Sequence, residues 1–388
     1  MPKTTSDVDA ILRIAPQSVH APAPGSSSLS VVVMAAGEGS RMKSTRPKPL
    51  HRLCGKPMIG HVLDAVIPVG VSRAIVVVGH GAERVMKTLI EEAPPGTSLE
   101  FVTQHVQRGT GDAVSVALTA FTTDELDADA DADVIVMPGD QPLFRPSTIA
   151  GLVDTHRAAG AAATVLSAHV PDPTGLGRIV RDKAGRVRRI VEHRDATDAE
   201  LAIDEINTSV FVFKRSVLAP ALRRLSPENS QGEYYLTDVI AVLADAGYVV
   251  SSHIVADRAE AEGVNDRVQL ARAEAELRRR TNDRLMRQGV TMVDPEQTYV
   301  DATVVIGPDV TLFAGVLLQG HTTIGSGCEI GPNTRLVDCV VGEGSSIEAS
   351  TAQRVTFGAG VVVGPYAAFE PGTSVSDGIR VGPGAYLG

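Results

Sequence analysis

Residues 31–58 read VVVMAAGEGSRMKSTRPKPLHRLCGKPM. They combine a buried-looking β-branched strand, a glycine loop, and a basic segment broken by prolines. The strand ends at Ala36, and Gly37 and Gly39 then let the backbone approach a bulky anion, with amides pointing inward as the chain enters a helix. Such a loop suits a phosphate. It is not a Walker loop, because CGKP lacks the preceding glycine spacing and the Ser/Thr, and it is not GxGxxG either. Arg41 and Lys48 add two cations close behind the loop. Pro47 and Pro49 are expected to hold Lys48 in extended backbone, from which its side chain can turn back toward the anion. Loop and cations together suggest a triphosphate, whose charge of about −4 needs compensation when enclosed.

Further along, RAIVVVGH, SLEFVTQH, DVIVMPGD, AAATVLSAHV and SVFVFK read as strands, and MIGHVLDAVIPV and AERVMKTLIEEA as helices between them. Short continuous apolar runs separated by helical segments predict a mainly parallel sheet covered on both faces. Ligands of such folds bind beyond the carboxyl ends of the strands.

The texture changes after Asn265. Arg267–Gln288 places Val268, Ala271, Ala275 and Leu285 among charges, which predicts a helix of about 33 Å, read as a connector. Beyond it an aliphatic residue recurs every sixth position, at Ile306, Leu312, Leu318, Ile324, Ile330 and Leu336. The phase slips across VDCVVGEGSSIEASTAQR and resumes at Phe357, Val363, Phe369, Val375, Val381 and Leu387. A hexapeptide period is the mark of a β-helix, with the aliphatic residue pointing into a narrow prism.

Composition sets limits. With 388 residues and 43% hydrophobic residues, two or three compact units are expected. A formal charge of −10 without a long basic block argues against a general nucleic-acid or membrane-surface partner. Cys54, Cys328 and Cys339 form an odd set without CxxC spacing, which fits reduced, buried thiols in a cytosolic protein. No apolar run approaches the ~18 residues that span a bilayer. Residues 1–29, rich in Ala, Pro and Ser, lack a signal-peptide core and read as a disordered leader. The remaining divisions expected are a nucleotide-handling domain over 30–265, a linker helix over 266–289 and a β-helix over 290–388.

The segment AAGEGSRMKSTRPKPLHRLCGKPM closely resembles the signature of sugar-1-phosphate nucleotidylyltransferases. More narrowly, it is similar to the bifunctional N-acetylglucosamine-1-phosphate uridyltransferase/glucosamine-1-phosphate acetyltransferase family. The resemblance continues in order through QRGTGDAV, PGDQPL, GLGRIV, IVEHRDAT, EINTSV, EYYLTDVI and GVNDRVQLA and into the hexapeptide region. It implies an α/β Rossmann-like nucleotidyltransferase domain followed by a left-handed β-helix, cytoplasmic and assembled as a homotrimer. It also implies uridylyl transfer from UTP to N-acetylglucosamine 1-phosphate, feeding cell-wall precursor synthesis, with Mg²⁺ as cofactor. On this resemblance Met34, Ala35, Gly37, Gly39 and Arg41 hold uracil and triphosphate, with Lys48 on the phosphates. Gln104, Gly109 and Thr110 read the base, Gly139 also binds substrate, and Asp140 holds the metal with Asn265. Gly177, Glu192 and Asn207 take the sugar phosphate.

The sequence departs from the family pattern at Pro49, where an aliphatic residue is usual, at Ser209, where glycine or alanine is usual, and at Leu176, where an aromatic is usual. The chain carries some five 18-residue coils, about half the family's β-helix, and FEPGT places Glu370 where the family has an arginine. Acetyl transfer is therefore expected to be absent. A non-catalytic subunit of the same architecture, or a nucleotidylyltransferase for another sugar, is the alternative reading. Retention of Arg41, Lys48, Asp140 and Asn265 together favours the enzyme.

Overall fold

The computed structural model describes residues 12–14, 28–92, 98–121 and 132–388. The chain divides into two compact units, Met1–His51 with Met58–Asp266, and Arg52–Pro57 with Arg267–Gly388.

The first unit is built on ten described strands: β1 (Leu12–Ile14), β2 (Leu29–Ala35), β3 (Arg73–Val78), β4 (Leu99–Thr103), β5 (Asp133–Pro138), β6 (Ala163–His169), β7 (Arg178–Arg181), β8 (Val187–Val191), β9 (Glu205–Lys214) and β10 (Val250–Ile254). Their order across the sheet is β1-β4-β3-β2-β5-β9-β6-β10, with β7 and β8 branching from β9. Strands β4, β3, β2 and β5 run parallel, as do β6 and β10, while β9 runs antiparallel to its neighbours. The expectation of a mainly parallel sheet thus holds, with β9 as its principal exception.

Side chains alternate across β2, and each face meets helices. Val31, Val33 and Ala35 join one core with Ile59, Val62 and Leu63 of helix α1 (Met58–Val66), Val85 and Leu89 of α2 (Ala82–Glu92), and Ile149 and Leu152 of α4 (Pro146–Ala158). Val32 faces the other core, with Ala113, Val114 and Ala117 of α3 (Thr110–Leu118), Leu218 of α5 (Arg215–Leu222), and Val239 and Ile240 of α6 (Asp238–Asp245). Burial on both sides is why β2 reads as an unbroken apolar run. Each fully buried Val or Leu contributes roughly 1.5–3 kcal/mol.

The chain leaves β2 for β3 and β4 on one side and returns to β5 on the other, so the strand order reverses between β2 and β5. The loops leaving these two strands diverge there and open a crevice. Gly139 N–H, just past β5, donates to Met34 O of β2 at 2.9 Å and keeps the two loops in register at its floor.

Strand β1 departs from the reading of residues 1–29 as a disordered leader: Leu12 pairs opposite Phe101 and Ile14 opposite Leu99, covering the edge of β4 that would otherwise stay open. The rest of that reading, over residues 1–11 and 15–27, lies outside the described residues.

The second unit is a left-handed β-helix of short parallel strands in three sheets of six, six and five strands. The inward positions are those of the hexapeptide period: Leu312, Leu318, Ile330 and Leu336 are fully buried, and Phe357, Val363, Phe369, Val375 and Val381 are buried. The phase slip is resolved by shortened corners. Ile324 pairs with Val341, seventeen residues on, and Leu336 with Ala352, sixteen residues on, so the inward face is kept while residues are dropped. Corners at Asp338, Ala349 and Arg354 turn in the left-handed backbone region, which tightens them.

Helix α7 (Arg267–Arg287), read from the sequence as a connector, packs on these coils. Leu285 joins their core, and Asn282 Nδ2 donates to Thr298 O at 2.9 Å. A two-stranded hairpin, Arg52–Leu53 with Lys56–Pro57, also belongs to this unit. Cys54 N–H donates to Glu274 Oε2 at 2.7 Å, and Ala302 N–H donates to Cys54 O at 2.9 Å. All three cysteines are free and buried. Burial and the neighbouring Glu274 carboxylate push the Cys54 thiol far above its ordinary range, so it stays protonated and packs as an apolar group. Among the described residues no helix is long and apolar enough to cross a membrane.

Candidate functional site

The crevice between β2 and β5 is a cavity of about 500 Å³. Residues at the end of β2 and in the loop after it, Met34, Ala35, Gly37, Gly39 and Arg41, line one wall together with Lys48. Gly139 and Asp140 follow β5, Gln104, Gly109 and Thr110 follow β4, and Asn265 completes the lining. Twelve of the fifteen residues singled out from the sequence therefore meet around one space.

The loop's geometry depends on Gly39. Its φ of 62° lies in the left-handed region, and a Cβ there would stand 2.6 Å from Lys48 Cβ, so only glycine lets the root of the Lys48 side chain pass this close. Lys48 itself is not extended as expected. It opens a single 3-10 turn, Lys48–Leu50, in which the fixed φ of Pro49 suits the second position of the turn. Pro47 does take an extended conformation, with ψ 138°, and aims the turn into the crevice.

Four polar side chains converge at the mouth. The Lys48 ammonium donates to Asp140 Oδ2 and, at 3.0 Å, to Asn265 Oδ1. Arg41 Nη2 donates to the same Asn265 Oδ1 at 2.8 Å. A neutral amide oxygen thus orients two cations without cancelling their charge. The Lys48 and Asp140 side chains are only 12% and 29% exposed, so their attraction is screened less than on an open surface.

This oxygen set fits a hard cation. Among the described residues no group of three or more His, Cys, Asp or Glu is placed to hold a metal. A carboxylate oxygen and an amide oxygen instead flank one cationic position, where the Lys48 ammonium sits. Ions of the magnesium type bind through one or two such protein oxygens and complete their shell with water and phosphate.

The other three expected residues, Gly177, Glu192 and Asn207, do not line this cavity and form a second group among β7, β8 and β9. Asn207 N–H donates to Gly177 O at 2.9 Å, and a Cβ on Gly177 would meet both Glu192 carboxylate oxygens at 3.5 Å. Thr237 Oγ1 donates to Glu192 Oε1 at 3.1 Å. Burial raises the Glu192 carboxyl above its ordinary range; the Thr237 bond opposes this, and the charges of Asp238 and Asp195 reinforce it. Asp238 is raised in the same way, by burial and then by Asp195.

Seven lining residues were not singled out as site residues from the sequence, and two of them, Gln107 and Glu233, carry long polar side chains. Gln107 Nε2 donates to Ala36 O at 2.6 Å and ties the loop after β4 to the loop after β2, and Glu233 lines the same space. Gln107 and Glu233 sit inside runs that carry the resemblance, QRGTGDAV and EYYLTDVI, but no spacing within those runs points to the cavity.

Residues 31–240 match the MobA-like NTP transferase domain, and residues 303–337 match the bacterial transferase hexapeptide (six repeats). The chain is 44% identical over 351 residues to the bifunctional protein GlmU of Shouchella clausii, an alignment covering 90% of this chain and 75% of that protein. It is 46% identical over 354 residues to the GlmU of Streptomyces avermitilis, covering 91% and 72%, and 46% identical over 329 residues to that of Thermobifida fusca, covering 85% and 67%. A nucleotidyltransferase domain with its loops converging on one crevice, followed by hexapeptide coils and matched along nine-tenths of its length, places this chain in the family of the bifunctional protein GlmU.

Proposed function

We propose that this chain transfers a uridylyl group from UTP to N-acetylglucosamine 1-phosphate, releasing pyrophosphate and forming UDP-N-acetylglucosamine for cell-wall precursor synthesis. The observation that carries this reading is the convergence of Arg41, Lys48, Asp140 and Asn265 at one mouth of the crevice. The sugar phosphate is already ionised at neutral pH, so its oxygen attacks the α-phosphorus in line with the departing pyrophosphate, and no protein nucleophile is needed. Arg41 and Lys48 steer the triphosphate and offset the charge that builds in the transition state. Backbone amides of the Gly37–Gly39 loop face the phosphates, while Gln104, Gly109 and Thr110 meet the base. Gly177, Glu192 and Asn207 receive the sugar. Glu192 accepts from hydroxyls, and Asn207 can donate and accept.

Asp140 and Asn265 would hold Mg²⁺, which when bound neutralises triphosphate charge that Arg41 and Lys48 do not reach. Incubation with each NTP and each sugar 1-phosphate, followed by pyrophosphate detection, tests the substrates. UTP with N-acetylglucosamine 1-phosphate should exceed every other pair by at least about tenfold. Equal turnover with glucose 1-phosphate would shift the assignment to another sugar.

Two finer points belong to the same reading. The β-helix is the assembly domain of a homotrimer, which light scattering at micromolar concentration would report as three times the chain mass. Acetyl transfer is absent, because Glu370, whose carboxylate accepts the Tyr386 hydroxyl, puts a negative charge where the resemblance expects an arginine for a sugar phosphate. Sugar-dependent release of CoA from acetyl-CoA, followed with a thiol reagent, would overturn that second point.

A further inference from the structure

We propose that Asp112, which does not line the crevice, decides which base the site accepts by locking the amide of Gln104. The proposal rests on the uridylyl-transfer reading and deepens it. Gln104 follows β4, is 5% exposed, and lines the cavity; its own N–H donates to Val78 O at 2.8 Å, which anchors its backbone to β3. Its Nε2 donates to Asp112 Oδ2 at 2.8 Å and to Gly109 O at 3.3 Å.

The chemistry of these partners fixes which way the amide faces. A carboxylate and a peptide carbonyl can only accept, so both require the NH₂ end of Gln104. Both amide protons are then committed, and among the described residues Oε1 accepts no hydrogen bond. What Gln104 offers a base is therefore an acceptor. Uracil presents an N–H at N3 and pairs with it, whereas cytosine presents a lone pair at N3 and meets it oxygen to nitrogen, both electron-rich. A buried mismatch of that kind separates substrates far more strongly than a difference in size.

Asp112 is well placed for the task. It lies in the first turn of α3, where the helix dipole favours a negative charge. Its side chain is 16% exposed, and its second oxygen, Oδ1, stands 3.6 Å from Arg108 Nε, so Arg108 holds the carboxylate from the outside. Arg108, Asp112 and Gln104 form a relay from the surface to the base in which Asp112 touches no substrate; it is a positioning residue.

The test is the ratio of kcat/KM for UTP to that for CTP, with N-acetylglucosamine 1-phosphate as acceptor, in the parent and in Asp112→Asn. The asparagine can accept from or donate to Gln104, so only the longer bond to Gly109 O still favours the NH₂ end and the flipped amide becomes accessible. The UTP:CTP ratio is expected to fall by about tenfold or more through a rise in CTP turnover, with the fold intact by circular dichroism. A general structural role for Asp112 would lower both substrates together and leave the ratio unmoved. A parent that prefers UTP with a folded Asp112→Asn that keeps the parental ratio overturns this inference alone. A parent that prefers CTP or ATP overturns the uridylyl reading and this inference with it. Asp112→Glu, which keeps a carboxylate, should retain the preference for UTP, and its loss there would count equally against the relay.

Discussion

The Cβ position of Gly39 lies 2.6 Å from Lys48 Cβ, so the loop glycine and the lysine are a single fitted pair. Gly39→Ala has two costs, a left-handed φ on a residue with a Cβ and displacement of the Lys48 turn. A shift of the cation by about 1 Å should lower turnover about 10²-fold. Steady-state kinetics with UTP in excess checks this, and turnover within threefold of the parent would show that Lys48 is not positioned through Gly39.

Asp140→Ala removes the carboxylate that Lys48 bonds while leaving Asn265 to hold Lys48 and Arg41. The protein should fold, because Asp140 is partly exposed and not a core contact. Turnover should fall by about 10² or more, and the response to added magnesium should flatten. A melting curve and a magnesium titration measure the two halves of this expectation. A parental magnesium response in the variant would remove Asp140 from the metal assignment.

The raised Glu192 carboxyl makes stability depend on pH with a definite sign. Its unfolded value is about 4.3, and its folded value lies above that, so the native state binds the extra proton between the two. Stability from this group therefore falls as pH rises through that window, and the ionised carboxylate carries its full cost above the folded value. Glu192→Gln keeps an acceptor for Thr237 and removes the charge. It should melt above the parent at pH 7 and converge with it as pH falls toward 4, while KM for the sugar phosphate rises. Melts at the two pH values that ran parallel would contradict the assignment of burial as the cause.

Ser209 occupies a left-handed position, φ 63°, with its N–H donating to Asn207 Oδ1 at 2.9 Å. Ser209→Gly relieves the left-handed cost, less the greater freedom glycine has when unfolded, for a net gain of about 0.5–1 kcal/mol. Urea unfolding should show a higher midpoint at constant slope. An unchanged or lower midpoint would mean that the turn does not strain a side chain.

What the sequence makes legible is what lies in consecutive residues. The strand, the glycine loop and Arg41 follow one another within 31–41, and the hexapeptide positions repeat locally, so both could be read directly. Asp140 and Asn265 are far apart along the chain, and only the family resemblance joined them before their oxygens met at Lys48. The 3-10 turn at Lys48 was hidden because Pro49 favours extended backbone in the residue before it, and the local turn overrode that preference. Gln107 and Asp112 act through bonds to Ala36 and Gln104 that depend on how β2, β4 and α3 come together, and no short-range pattern records such bonds. The pairing of β1 with β4 was likewise invisible, since three residues in a polar leader carry too little periodicity to count as a strand.

The hairpin of Arg52–Pro57 leaves the ribosome more than two hundred residues before the coils of its own unit. At ordinary rates of synthesis that is a wait of roughly 10–40 s, during which Cys54 has neither Glu274 nor Ala302 to bond. Biogenesis of the second unit is thus tied to a segment made almost at the outset. A fragment ending near Asp266 would leave Cys54 without its Glu274 and Ala302 partners, and a fragment starting at Arg267 would lack the hairpin turn whose Cys54 bonds them. Separating the two units intact calls for transplanting the six-residue hairpin along with the coils, because no single cut in the chain does it.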